Sequence, residues 1–263
     1  MLEYEFMQRA FLAGILIAIL ASVSGTFIVL RRYSMIGETL AHSSLVGVAV
    51  ALVANSNPIW VSVIFALIAS WIIEFLRQKY ELYADSVLSI LLSGSLALAV
   101  VIVSIGGSFN SSLFSYLFGS ILAVSDSDVY TILIVGGISL VVLFLNANKL
   151  YFIAYDEEVA KVSGIKVKSL NFLLVSIVAI IISLSIQIVG SLLIGALMVI
   201  PVISALQFRV GFLKTILLGI FFSVFSVVSG MSLSYYFSLP SGATIVLFVI
   251  LLFVISLLIN GKK

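Results

Sequence analysis

Glu38 and His42, in the segment IGETLAHSSLVG, stand four residues apart inside a strongly apolar run and so share one helix face. A neutral imidazole and a carboxylate are both good ligands for first-row divalent ions, and the carboxylate also lowers the cost of bringing a dication into low dielectric. Thr39 and Ser43 flank the same stretch. Two ligands do not close a metal site, but a two-fold homodimer would supply two of each, and a transit site must release its ion. A Glu–His hydrogen bond that pins two helices, or a proton relay, is the competing reading of the same pair.

Other ionisable or polar residues in apolar surroundings are few. Asp85, in YADSVLSILLSG, stands at a helix start, where an acid interacts well with the helix dipole. Glu74 lies one turn before Arg77 near a membrane face and reads as an exposed ion pair. Gln187 either lines a path or bonds across helices.

These residues need helices to hold them, and the composition says in what solvent. The chain of 263 residues is 63% hydrophobic and 9% charged, with a mean hydropathy of +1.35, far from the roughly 25% charge of soluble domains. It is a membrane protein by composition. A net charge of +2 excludes a nucleic-acid surface, and the lack of cysteine excludes disulfides, thiolate metal sites and redox pairs. The N-terminal residues carry Glu3 and Glu5 where a secretory signal carries cations, so the N-terminus reads as retained.

At about 20 apolar residues per span, nine spans are expected, at 6–30, 38–54, 58–76, 86–106, 128–146, 169–187, 190–208, 212–237 and 242–259. A tenth apolar stretch, 112–124, is too short to cross and reads as re-entrant. The fold class is therefore an all-α polytopic membrane protein of about nine transmembrane helices plus a short re-entrant segment, in one domain covering 1–263. With the N-terminus outside, 12 of the 13 Lys and Arg fall on the cytoplasmic side, Lys262 and Lys263 at the C-terminus among them, leaving only Arg9 outside.

Pro201 lies inside the seventh span and predicts a kink, whereas Pro58 starts a helix and Pro240 precedes a cap at Ser241. Small residues recur four apart at Gly14, Ala18, Ser22 and at Ser226, Gly230, Ser234, and predict close helix packing within the chain. The polar stretch 146–168 carries Asp156, Glu157 and Glu158 ahead of Val159, Val162 and Ile165, and fits a short helix on the membrane face. A phosphate loop, a nucleophile elbow and a His-Glu-x-x-His helix are all lacking, so nothing points to an enzyme.

Five stretches in order, RRYSMIGETLAHSSLVGVAVA, SYLFGSILAVSDSDV, AYDEEVAKVSGIKVKSL, VGSLLIGALMVIPVISA and LPSGATIVL, give a resemblance over essentially the whole chain. The chain resembles the permease subunits of ATP-binding-cassette importers for zinc, manganese or ferrous iron. The resemblance implies the permease fold of the metal and vitamin B12 importers, a homodimer with a central ion path, two cytoplasmic ATPase subunits beneath, and an extracellular metal-binding protein above. It implies a transport subunit in a prokaryotic plasma membrane with a cytoplasmic C-terminus, no permanently bound cofactor, and a divalent metal as cargo.

The family's Gly-Asp-Ala-x-Ser-His pattern carries its path residues onto Glu38 and His42, with one methylene more at Glu38 and Val46 where Pro is frequent. It also has an acid matching Asp85, which adds that residue to the candidate metal ligands. Its ATPase-docking surface maps to Asp156, Glu157 and Glu158. A fainter similarity to the vitamin B12 and siderophore permeases adds the turn 207–214, with Gln207 and Arg209. Rival readings are a permease for an iron chelate or cobalamin, a stand-alone secondary metal transporter or channel, an intramembrane enzyme and a structural subunit.

Overall fold

Hydrocarbon offers no partner to a bare N–H or C=O, so an apolar chain of this kind folds into helices that satisfy their own backbone. A computed structural model describes residues 4–80, 84–106, 111–120 and 123–260, without the side chains of 84, 111–113 and 260. The expectations at Glu3, at the turn 107–110 and at Lys262 and Lys263 lie outside the described residues.

The described residues form eleven helices: α1 Glu5–Leu30, α2 Ile36–Val53, α3 Pro58–Tyr80, α4 Ala84–Ile105, α5 Ser111–Phe118, α6 Asp126–Tyr155, α7 Glu157–Val162, α8 Val167–Val189, α9 Ile194–Leu206, α10 Phe212–Phe237 and α11 Ser241–Asn260. Eight of them are long and apolar enough to cross a membrane, and α9 is the shorter ninth. The fold class expected from the sequence is the one observed.

Contacts between helix ends give the relative threading. Arg9 near the start of α1 pairs with Asp126 at the start of α6, at 2.6 Å. The opposite ends of α1 and α3 meet just beyond α6, where Arg31 and Arg77 both reach Glu157 at 3.5 Å. The start of α10 joins that face, because the Phe212 ring lies 5.8 Å from Phe27 and 4.5 Å from Tyr151. The end of α8 lies on the other face with the start of α11, as the Ser241 hydroxyl donates to the Ile188 carbonyl. Hence α9 carries the chain from one face to the other, and the first and last helices begin on the same face.

The seventh span is shorter than the predicted 190–208. Gly190 takes φ +90 and a turn follows, in which the Ile194 N–H returns to the Gly190 carbonyl at 3.2 Å, so α9 starts late. Thirteen residues rise about 20 Å, and hydropathy alone could not separate the apolar turn residues from the helix. Pro201 sits within α9, where it leaves the Leu197 carbonyl without its usual helical donor.

The segment expected to be re-entrant contains α5, and part of its backbone is hydrogen-bonded to the end of α8 and the turn after it. The Ser191 N–H donates to the Tyr116 carbonyl at 2.8 Å, and the Ser120 N–H to the Gln187 carbonyl at 3.0 Å. Gln187 itself donates from Nε2 to the Ala123 carbonyl, which answers its role in favour of cross-helix bonding.

Helices α1, α2 and α8 form the centre, whereas α4 and α6 are outermost. The small-residue ladders pack within the chain: Gly14 faces Val227 and Met231 on α10, and Gly230 faces the Ile245 backbone on α11. Helix α1 also approaches α9 closely at Gly25, where a Cβ would collide with the Met198 backbone carbonyl. Gly25→Val should therefore force α1 from α9 and lower the detergent thermal unfolding temperature by several degrees, while Gly94→Val, in open space, leaves it near wild type.

Candidate metal path and inner-face charge network

Helix α2 begins close to α9. The Glu38 backbone packs against Gly195 in the first turn of α9, and a Cβ at Gly195 would sit 3.2 Å from the Glu38 nitrogen. The Glu38 side chain is exposed, and its place in the first turn of α2 puts the carboxylate near the positive end of that helix. One turn further along the same face, His42 is only 4% exposed, and its Nδ1 has no hydrogen-bond partner among the described residues. An exposed carboxylate leading to a buried imidazole with an open nitrogen is an arrangement a cation can enter stepwise.

Thr39 and Ser43 face elsewhere. The Thr39 hydroxyl bonds the carbonyls of Met35 and Leu88 at 3.0 and 3.3 Å, and Ser43 Oγ lies 2.9 Å from the Thr39 carbonyl and 2.8 Å from Ser95 Oγ. Their work is to fix α2 against α4. Ser44 does the same toward α8, with 2.8 Å to Ser183 Oγ. These bonds set the rotation of α2 and hence the direction of the Glu38–His42 face.

Asp85 is exposed in the first turn of α4, one turn before Leu88, so it lies at the same end of the α2–α4 pair as Glu38. No group of three His, Asp or Glu side chains among the described residues is close enough to hold a metal ion. Within one chain the structure brings Glu38 and His42 onto one face and does not gather Asp85 into a three-ligand cluster with them.

The ends of α1 and α3 that meet α7 carry a charge network that the sequence pattern underplays. Glu74, read as an exposed partner of Arg77, is 1% exposed. Its Oε1 takes Arg77 at 2.7 Å and Gln78 at 2.6 Å, while its Oε2 takes Arg77 Nε at 3.2 Å. An i, i+3 spacing signals the pair, but burial depends on α3 packing against α8, where the Trp71 indole donates to Ser176 at 2.9 Å.

Arg77 lies 5.8 Å from the Tyr33 ring centroid, and burial pushes the Tyr33 hydroxyl up to about 12, so it remains protonated at neutral pH. Asp156 caps α7 by accepting the N–H groups of Glu158 and Val159 at 3.0 and 2.9 Å. Glu157 turns inward to Arg31, Arg77 and Lys161, and Glu158 is exposed beside Tyr155, Val159 and Val162. Gln207 and Arg209 lie just after α9, with Arg209 exposed at φ +52.

Residues 3–260 match the ABC 3 transport family. The chain belongs to that family. It is 32% identical over 99% of its length to the high-affinity zinc uptake system membrane protein ZnuB of Buchnera aphidicola, of which it covers 99%. It is 31% identical, again over 99% of its length and covering 94% of the relative, to the manganese import system permease protein ScaB of Streptococcus gordonii. The solved PsaBC from Streptococcus pneumoniae in complex with Fab superimposes with a TM-score of 0.88 at 29% identity, over 98% of this chain and 93% of that one. These likenesses show a multi-pass transport component of an ATP-binding-cassette system rather than an enzyme.

Removing one partner of a buried ion pair strands the other, at a cost of about 3–5 kcal/mol. Glu74→Ala should therefore destabilise the chain by about 3 kcal/mol in chemical unfolding from detergent, with exposed Glu158→Ala near neutral; equal effects would refute the network's structural role.

Proposed function

We propose that the chain is the membrane permease of an ATP-driven importer for a divalent transition-metal ion, zinc, manganese or iron, and that Glu38 and His42 line its translocation path. The observation that carries the reading is the buried His42 with an unpartnered Nδ1, one turn beyond the exposed Glu38, on the most buried long helix of the chain. Charged and titratable groups inside a span are expensive enough to mark ion pathways.

The ligand chemistry is that of loose capture and release. A neutral imidazole nitrogen and a carboxylate oxygen suit borderline divalent ions, and two ligands from one chain bind weakly enough to release the ion. Two chains related by a two-fold axis double the set to two Glu and two His. Asp85 supplies a further acid at the end of α4 nearer Glu38. The metal is cargo, and no permanently bound cofactor is needed. The zinc and manganese relatives share this chain's length and family, so selectivity belongs in part to an extracellular binding protein that delivers the ion.

ATP binding and hydrolysis on two cytoplasmic ATPase subunits would drive alternating access. Their docking surface is best supported on α7, where Glu158, Val159 and Val162 are exposed after the Asp156 cap, with Gln207 and Arg209 as a second patch. Glu157 ties that surface to α1 and α3, and residues 31–35 join α1 to the Glu38 helix, so movement of α7 reaches the path through a short chain of contacts. The face holding α7 is cytoplasmic on this reading, as the placement of Lys and Arg requires, and the chain sits in a prokaryotic plasma membrane with its C-terminus inside.

Vesicles carrying the chain with its cognate ATPase and binding protein should take up one labelled metal only with ATP. His42→Ala should reduce that uptake at least tenfold while the ATPase still co-purifies; unchanged uptake would remove His42 from the path, and uptake without ATP would make the chain a channel or secondary transporter. Sidedness has its own test, since the chain has no cysteine: a Glu158→Cys variant should react with an impermeant maleimide only after the cytoplasmic face is opened.

A further inference from the structure

Between the inner ends of α1 and α6 lies a recess of about 370 Å³ lined by Leu30, Arg31, Arg32, Tyr151, Ala154 and Tyr155. Two guanidinium-bearing residues and two tyrosines line it, and no carboxylate does. Arg32 is exposed, has no ion pair among the described residues, and holds a left-handed backbone at φ 57 that a non-glycine residue adopts only at some cost. Arg31 is poorly compensated as well. Burial and the neighbouring Arg77 lower its pKa, in that order, against the opposing carboxylates of Glu157 and Glu74, and its ion-pair partner Glu157, at 3.5 Å, is shared with Arg77 and Lys161.

The position of the recess selects the anion. Helix α6 has 30 residues and is about 45 Å long against a hydrocarbon core of about 30 Å. Its final turn, with Tyr151 and Tyr155, therefore lies at headgroup depth, where tyrosines of membrane proteins collect. Tyr151 is 42% and Tyr155 83% exposed there, on a helix that is mostly uncovered by the rest of the chain. Arginine grips phosphate with two parallel N–H donors.

We infer that the recess between α1 and α6 binds the phosphate headgroup of an anionic phospholipid through Arg31 and Arg32, with Tyr151 and Tyr155 at its lip. Resting on the sidedness proposed above, this is an inner-leaflet lipid. It sits on the loop 31–35 that leads into the Glu38 helix, so an anion here offsets the cationic end of α1 where α2 begins.

The test counts lipid rather than transport, so it stands or falls separately from the importer reading, whose own check is the ATP-dependent uptake described above. The full chain, purified with its ATPase in detergent, is offered equal amounts of phosphatidylglycerol and phosphatidylcholine, and retained lipid is counted by native mass spectrometry. Each arginine at a membrane surface contributes about fivefold in affinity for anionic lipid, so phosphatidylglycerol should be preferred, and Arg32→Gln should lower the preference about fivefold. Arg32→Lys, which keeps the charge, should retain most of it. Tyr155→Ala, at the exposed lip of the recess, should weaken retention and serves as the second variant if Arg32→Gln folds poorly. Equal retention of both lipids, or an unchanged preference in Arg32→Gln, overturns the site. Displacement of the lipid by excess inorganic phosphate would make it a free-anion site, and loss of the ATPase from Arg32→Gln would make it a partner interface; either result also overturns the inference.

Discussion

A chain folded in hydrocarbon has no water to fall back on, so each backbone group and each charge must find its partner within the protein or at the membrane edge. Everything in this structure follows from that constraint. It makes the segments helical, sends the cations to helix ends, and gives the short α5 segment outside partners for its backbone, Tyr116 with Ser191 after α8 and Ser120 with Gln187 near the end of α8. It also explains the serine and threonine hydroxyls that return to carbonyls one turn back, such as Ser24 to Leu20 and Ser226 to Phe222.

Against that background, the Glu38–His42 face is the departure. Its neighbours Thr39, Ser43 and Ser44 are bonded to α4 and α8, so α2 is fixed in rotation by polar contacts on two sides while the third side keeps a buried imidazole nitrogen open. Rigid support with a few uncommitted ligand atoms is what a transit site needs, because ligands that are too many or too close would hold the ion rather than pass it.

The inner face solves a different problem. Glu74 and Glu157 share the charges of Arg77, Arg31 and Lys161 around the ends of α1, α3 and the start of α7. The network joins α7 to the ends of α1 and α3, and residues 31–35 lead from there into the Glu38 helix. Two carboxylates shared among three cations leave the cluster short of negative charge, and the neighbouring Arg32 is exposed without an ion pair among the described residues.

The sequence by itself determined the solvent and the all-helical class and put Glu38 and His42 one turn apart on one helix, because hydropathy over about 20 residues and i, i+4 spacing are local properties. It also marked the short helix after Asp156 and the short apolar segment that holds α5. What it could not contain was which neighbour each polar group meets. Apolar turn residues 190–193 read as helix, Glu74 read as exposed, and Gln187 read two ways, since each depends on a partner distant in the chain: Gly190 in its left-handed turn against α5, Arg77 with the α3–α8 contact, and the Ala123 carbonyl. Only the tertiary structure decided those, because burial and hydrogen-bond partners are properties of pairs of helices, and a single helix carries no record of what packs on it.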